Sequence, residues 1–393
     1  MEFAVLGIFG VALLFCIVTG MLVEGILRAK VVLSILLLIG MLTASWRASG
    51  TIAYILYYAA DAINPSYFSL FTFLICALMS VLTGTSFGTA GTAGVVCMSI
   101  AQYMGLSPLL TGGAVISGIF VGDRCSPMSS SALLVASITG TDIRMNIKIM
   151  LKTSWAPFLL TCAFYAVAGR SENIAASGTA YSGNFWVGFQ MLPWLLLPAA
   201  VIAVMCLLPI KLWITIGVNI LLSSVLCFWE QDMALPIILK SLLLGYDGGA
   251  GNLMNGGGAV SMLEVLIILV ISSSYFGIFG NTPLLDGVKN AVSRAAQRLR
   301  PFVITTLLSV LISAVSCNQT LATMLTQEIQ QDIVPEPLRQ AEYLENSVIL
   351  VAALIPWSIA GAVPAATIGA PIAVLVFAVY LYAVPIWNIA ARR

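Results

Sequence analysis

Asp123 is the residue whose surroundings least explain it. It lies in Gly122-Asp123-Arg124-Cys125-Ser126-Pro127, inside a stretch (108–140) that is otherwise apolar enough for a membrane. A carboxylate at that depth costs several kcal/mol unless it is paired, solvated or bound to a cation. Its presence therefore points to ion or proton chemistry, with Asp123 the candidate sodium ligand. The plainer alternative is an ion pair with the adjacent Arg124 at a helix end. A titratable carboxylate also matters because the chain has no histidine to carry protons.

Other polar clusters interrupt apolar stretches in the same way. Thr83 to Thr92 reads TGTSFGTAGT, a run of hydroxyls separated by glycines. Hydroxyl and carbonyl oxygens are hard ligands for a small cation, while free N–H groups at a helix start favour an anion. The alternative is that Gly84 and Gly88 only allow helices to pack closely. Gly122 to Ser131 (GDRCSPMSSS), Ser316 to Thr323 (SCNQTLAT) and Ile355 to Ala366 (IPWSIAGAVPAA) are comparable. From these stretches the candidate substrate- and ion-binding residues are Thr85, Ser86, Thr89, Asp123, Ser126, Ser129, Ser130, Asn318, Thr320 and Trp357. Glu345, which with Asn346 opens the last apolar stretch, joins them. Trp357 follows Pro356 and could equally serve only to pack or anchor a broken helix.

Several chemistries are excluded. Gly84-Thr85-Ser86-Phe87-Gly88 fits the GxSxG pattern of serine hydrolases, but without histidine neither a Ser/His pair nor an HExxH zinc site can form. No phosphate-binding P-loop pattern is present. The eight cysteines are scattered singly and read as small packing residues. With 17 basic against 16 acidic residues there is no field to neutralise phosphates, which argues against nucleic acid. The chain reads as a non-enzyme needing no cofactor beyond Na+ and/or H+ as coupling ions. Its expected partners are a small ion or small-molecule substrate, membrane lipid and, as an open alternative, a second copy in a homodimer.

The elements that must position these residues are membrane helices. Apolar residues make up 60% of 393 positions and charged residues 8%, where a soluble domain carries about 25%. Apolar stretches at 3–25, 31–60, 66–104, 108–140, 154–170, 186–208, 211–229, 262–282, 301–327 and 346–385 give about ten membrane segments. The first lacks a basic stretch before it and has Arg28 and Lys30 after it, as expected of a retained helix and not a cleaved signal. The polar clusters read as helix breaks, tolerated in a bilayer only where protein or a wet cavity satisfies the backbone. Gly84 to Gly122 and Asn318 to Pro356 have the same separation of about 38 residues, as in a duplicated unit.

The expected fold is thus an all-α integral membrane protein with two inverted repeats, re-entrant hairpins and broken helices. Residues 1–153 form the first repeat, with breaks at 83–92 and 122–131. Residues 154–260 supply connecting helices and a Gly-rich linker, Gly245 to Gly258. Residues 261–393 form the second repeat, with breaks at 316–323 and 355–366. Inversion places both basic clusters, Arg144/Lys148/Lys152 and Lys289/Arg294/Arg298/Arg300, on the cytoplasmic side of a cell inner (plasma) membrane, at the expense of leaving Arg392 and Arg393 outside. Asp286 to Arg300 alternates polar and apolar residues like an interfacial helix.

These motifs resemble a known family. Gly84 to Thr89, Leu110-Thr111-Gly112-Gly113-Ala114, Ile116-Ser117-Gly118, Gly122 to Ser129 and Gly140-Thr141-Asp142 are similar to the NhaC-type sodium/proton antiporters of the ion transporter superfamily. The likeness continues through Gly256-Gly257-Gly258, Asn318-Gln319-Thr320, Leu344-Glu345-Asn346 and Ile355-Pro356-Trp357, in order, from about residue 36 onward. It implies a secondary carrier with inverted repeats, hairpins and a central site, working by alternating access. Where the family continues Ser-Asp-Thr-Thr-Asn-Leu, this chain reads Ser129-Ser130-Ser131-Ala132-Leu133-Leu134, without the acidic residue. Sodium/proton antiport is the first expectation. Cation- or proton-coupled transport of an amino acid or small carboxylate is the alternative that the less acidic, hydroxyl-rich run favours.

Overall fold

The computed structural model describes residues 21–62, 64–171, 189–206, 208, 210, 212–249, 254–263, 266–267, 292 and 299–391. Most of the first apolar stretch, most of 262–282, most of the Asp286 to Arg300 segment, and Arg392 and Arg393 lie outside the described residues. Among the described residues the chain is helical and forms no strand; Tyr246 and Gly256 make one isolated antiparallel bridge.

The first half begins with α1 (Met21–Ala48) and α2 (Thr51–Ala62). Next come α3 (Phe68–Thr83), entered by a 3-10 turn, and α4 (Ser86–Thr89), which runs through a π turn at Ala90–Gly94 into α5 (Val95–Tyr103). Then follow α6 (Pro108–Cys125), α7 (Ser130–Thr139) and α8 (Ile143–Ser171). Three apolar helices, α9 (Leu197–Cys206), α10 (Leu212–Trp229) and α11 (Leu235–Leu244), lead to the Gly-rich stretch. The second half holds α12 (Pro301–Ser316), α13 (Gln319–Gln330), α14 (Pro337–Asn346), α15 (Val348–Leu354), α16 (Ile359–Thr367) and α17 (Val379–Ala391).

By length and apolarity, one described helix can cross a membrane alone: Pro65–Thr83, α3 with its 3-10 turn. The pair Pro337–Leu354 and Ile359–Thr367 qualifies together, bent by 56° at its break. This is fewer than the ten apolar stretches of the sequence. Six of the described apolar helices are only 10 to 17 residues long, Pro301–Ser316 ending at one of the breaks, and most of two further stretches lies outside the described residues. A 16-residue helix such as α12 is about 24 Å long at 1.5 Å per residue, short of a hydrocarbon core of about 30 Å.

Close approach of backbones sets the centre of the first half. A Cβ on Gly122 would lie 2.0 Å from the carbonyl carbon of Ser80, and one on Gly118 would lie 2.6 Å from Cys76 Cβ. Small residues on α3 (Cys76, Ala77, Ser80) thus let α6 lie directly on it, the usual way membrane helices gain contact when lipid offers no hydrophobic penalty. Ser80 Oγ donates to the carbonyl of Ile119, tying the two helices at the level of the glycines.

The Gly-rich stretch does not hang free. Gly258 N–H donates to Gly40 O at 2.7 Å, and Arg47 Nη1 to Asn255 O at 3.1 Å, which dock it on α1.

Candidate functional site

The breaks are tighter than the sequence suggests. Only Gly84 and Thr85 leave the helix at the first, Ser126 to Ser129 at the second, Cys317 and Asn318 at the third, and Ile355 to Ser358 at the fourth. Asp123 is therefore helical, in the last turn of α6. Gly122 is helical as well, and its bare backbone faces Ser80, where a side chain would collide.

The breaks correspond in pairs. α3 and α12 each have 16 residues, and each ends on a left-handed residue, Gly84 (φ 66°) or Cys317 (φ 55°). An extended N-cap follows in both. Thr85 Oγ1 accepts from Gly88 N–H, and Asn318 Oδ1 accepts from the N–H groups of Thr320 and Leu321. The later breaks match too: Ser129 N–H donates to Ser126 O at 3.1 Å, and Ser358 N–H to Ile355 O at 2.9 Å, around Pro127-Met128 and Pro356-Trp357. In local backbone pattern Gly84 thus matches Cys317, and Ser126 matches Ile355.

Asp123 is 3% exposed, and its carboxylate collects polar groups from both halves. Ser86 Oγ donates to Oδ1 at 3.4 Å; Ser131 Oγ and Gln319 Nε2 donate to Oδ2 at 3.0 and 3.1 Å. Gln319 also donates to Ile349 O at 2.9 Å, which fixes its amide between the halves. Ser86 and Gln319 hold matching places, each the first residue of the helix after its cap. The paired breaks thus converge on one carboxylate. Beneath it, Ser129 Oγ caps α7 and donates to the backbone carbonyl of Asp123.

The plainer alternative, an ion pair with Arg124, does not form. Arg124 is wholly buried and turns toward the second half, where Nε donates to Glu345 O at 2.9 Å and Nη2 to Asn346 Oδ1. Nη2 also reaches Thr153 Oγ1 at 3.0 Å and Met150 O at 3.4 Å, and Nη1 donates to Tyr380 OH at 3.2 Å. Among the described residues no cationic side chain is within ion-pair distance of Asp123.

The remaining expectations divide. Thr85 is a cap, and Thr89 Oγ1 bonds Thr85 O at 2.9 Å and Thr83 Oγ1 at 3.0 Å, so both order the first break without touching Asp123. Ser126 is buried and accepts from Met128 N–H. Asn318 and Thr320 form the third cap, and the Thr320 side chain is exposed. Ser130 is exposed, and its neighbour Ser131 holds the position at the carboxylate. Trp357 Nε1 donates to Ala314 O at 2.8 Å, fastening the fourth break to α12. Glu345 is wholly buried and lies one residue from the Arg124 partner Asn346. Sequence reasoning missed Gln319 and Ser131. The signal for Gln319 was its place after an N-cap in the same pattern as Ser86.

A helical, strongly apolar chain in which polar residues at three of its four interruptions meet at one buried carboxylate has the build of a membrane carrier. The particular family follows from sequence comparison: the model of the Na+/H+ antiporter family matches residues 3–142 and 118–391, and the chain belongs to that family. It is accordingly a membrane transporter. It is 28% identical over 376 residues to the Na(+)/H(+) antiporter NhaC of Alkalihalophilus pseudofirmus, covering 90% of this chain and 80% of that one. It is 27% identical over 365 residues to a malate-2H(+)/Na(+)-lactate antiporter of Bacillus subtilis, covering 88% and 77%. An arginine/ornithine antiporter of Halobacterium salinarum is 24% identical over 354 residues, covering 86% and 73%.

Proposed function

We propose that this chain exchanges sodium for protons across a cell inner membrane by alternating access, with Asp123 as the group for which the two ions compete. The convergence of Ser86 and Gln319, from equivalent breaks, on the Asp123 carboxylate is the observation that carries this reading. Sodium entering the cradle would take Asp123 with the hydroxyls of Ser86 and Ser131, all hard oxygen donors, and displace a proton. Unloaded of sodium, the same carboxylate is neutralised by a proton, so a charged, empty site does not cross the membrane. The repeated sequence of helix, left-handed residue, N-cap and helix supports two repeats, 1–153 and 261–393, joined by 154–260, which we take to be inverted about the site with about ten membrane segments. Asp123→Asn, reconstituted in proteoliposomes, is expected to abolish sodium-driven proton movement. Unchanged coupling in a well-folded Asp123→Asn protein rejects the assignment.

A second reading, coupled transport of a small organic solute, is favoured by a separate cavity of about 140 Å³. Thr43 and Arg47 of α1, Gln102 of α5, Ser261 and Thr367 line it; the Thr43 and Ser261 hydroxyls donate to Gly40 O and Gly258 O, and Arg47 is the cationic group there suited to a carboxylate. The names of the lactate/malate and arginine/ornithine relatives agree with that chemistry. Thermal stabilisation by Na+, Li+, amino acids and small carboxylates at two pH values separates the readings. An organic ligand acting only with sodium present favours the second.

A further inference from the structure

Glu345 presents the opposite situation to Asp123. Its side chain is wholly buried on α14, yet neither carboxylate oxygen has a hydrogen-bond partner. The basic group next to it does not serve it: Arg124 spends its donors on the backbone carbonyl of Glu345, on Asn346 Oδ1, Thr153 Oγ1, Tyr380 OH and Met150 O. An ionised carboxylate in such a place would be drawn onto the guanidinium; a neutral carboxylic acid need not be.

The titratable and charged groups around Glu345 are few. α6 contributes Asp123, Arg124 and Cys125, and α17 contributes Tyr380. α7, α12 and α15, which pack against α14, carry no acidic or basic residue. On α8 the side chains of Arg144, Lys148 and Lys152 are exposed, as is Glu328 on α13. On α14 itself Arg339 pairs with Glu336 at 2.8 Å on the exposed side, and Glu342 is half-buried.

We infer that Glu345 is a second proton-carrying site of the transport cycle, distinct from Asp123, so that more than one proton is exchanged for each sodium ion and net charge moves. This rests on the antiport reading above. A second metal cation is a poor occupant, because the Arg124 guanidinium already holds the peptide carbonyl of the same residue; a proton neutralises the carboxyl without adding charge beside it. The proton stays while the group is sealed in the arrangement described here. It leaves when relative movement of the halves brings the carboxyl to water or to the guanidinium, and it returns from the opposite side.

The test is the H+/Na+ ratio, obtained from the membrane potential at which sodium and proton flows through wild-type proteoliposomes balance. Wild type is expected to move net charge, and Glu345→Gln, which imitates the protonated acid, is expected to continue sodium exchange with a ratio lower by one proton. An equal ratio in wild type and Glu345→Gln, or electroneutral exchange by wild type, overturns the inference. If wild type shows no sodium-driven proton movement at all, the antiport reading fails first, visible before any substitution. Should Glu345→Gln not fold, infrared spectroscopy of the Asp123→Asn protein decides: the carbonyl stretch of one buried protonated acid is expected to persist, and its absence overturns the inference.

Discussion

Gly122→Ala adds one methyl group at the point where α3 and α6 touch. The added Cβ would lie 2.0 Å from the Ser80 carbonyl carbon and 2.2 Å from Val81 N, short of the 3.4 Å of an ordinary contact by 1.4 Å at the first. Both obstacles are backbone, so no rotamer change relieves them and the helices have to part. Overpacking of this kind costs about 1–3 kcal/mol, against a helix-propensity gain for alanine of about 1 kcal/mol. The effect on transport is larger. Ser86 Oγ reaches Asp123 at 3.4 Å, the outer limit of a hydrogen bond, and parting α6 from α3 breaks it. A displacement of about 1 Å at a reacting group can cost about 100-fold in rate, and a loss of that order is expected in sodium-driven proton flux. Gly217→Ala on α10 provides the control, since a Cβ there meets nothing within 4 Å. The pair is compared by thermal unfolding in detergent and by flux in proteoliposomes. Gly122→Ala as stable and active as Gly217→Ala would refute the reasoning.

Other substitutions examine the site and its scaffold. Ser131→Ala removes a donor at 3.0 Å from Asp123 and is expected to weaken sodium affinity about 10-fold, whereas Ser130→Ala, at an exposed position, leaves it within about 2-fold. Sodium titration of exchange rates checks both; the reverse order would restore Ser130 to the cradle. Tyr165→Phe strips a buried hydroxyl that donates to Phe377 O at 2.6 Å and contacts Ser117 Oγ at 2.8 Å, a loss of about 1–2 kcal/mol read as a lower unfolding temperature with the H+/Na+ ratio unaltered. A changed ratio would place Tyr165 in coupling instead.

Composition and apolar runs determined by themselves that the chain is helical and membrane-embedded, because excess apolar surface has no other stable destination. The absence of histidine excluded the hydrolase reading of Gly84 to Gly88 whatever the fold. Sequence also marked the neighbourhoods of all four breaks, since glycine, proline and capping residues act locally through φ, missing donors and short polar side chains. Which hydroxyl faces Asp123 was decided only in three dimensions. Ser130 and Ser131 differ by one helical step, about 100° of rotation, and chemistry alone does not choose between them. Gln319 and Arg124 were likewise assigned by tertiary packing. The first comes to Asp123 from 196 residues away, and the second abandons its neighbour in sequence for Glu345 and Asn346 because the second half fills the space beside it.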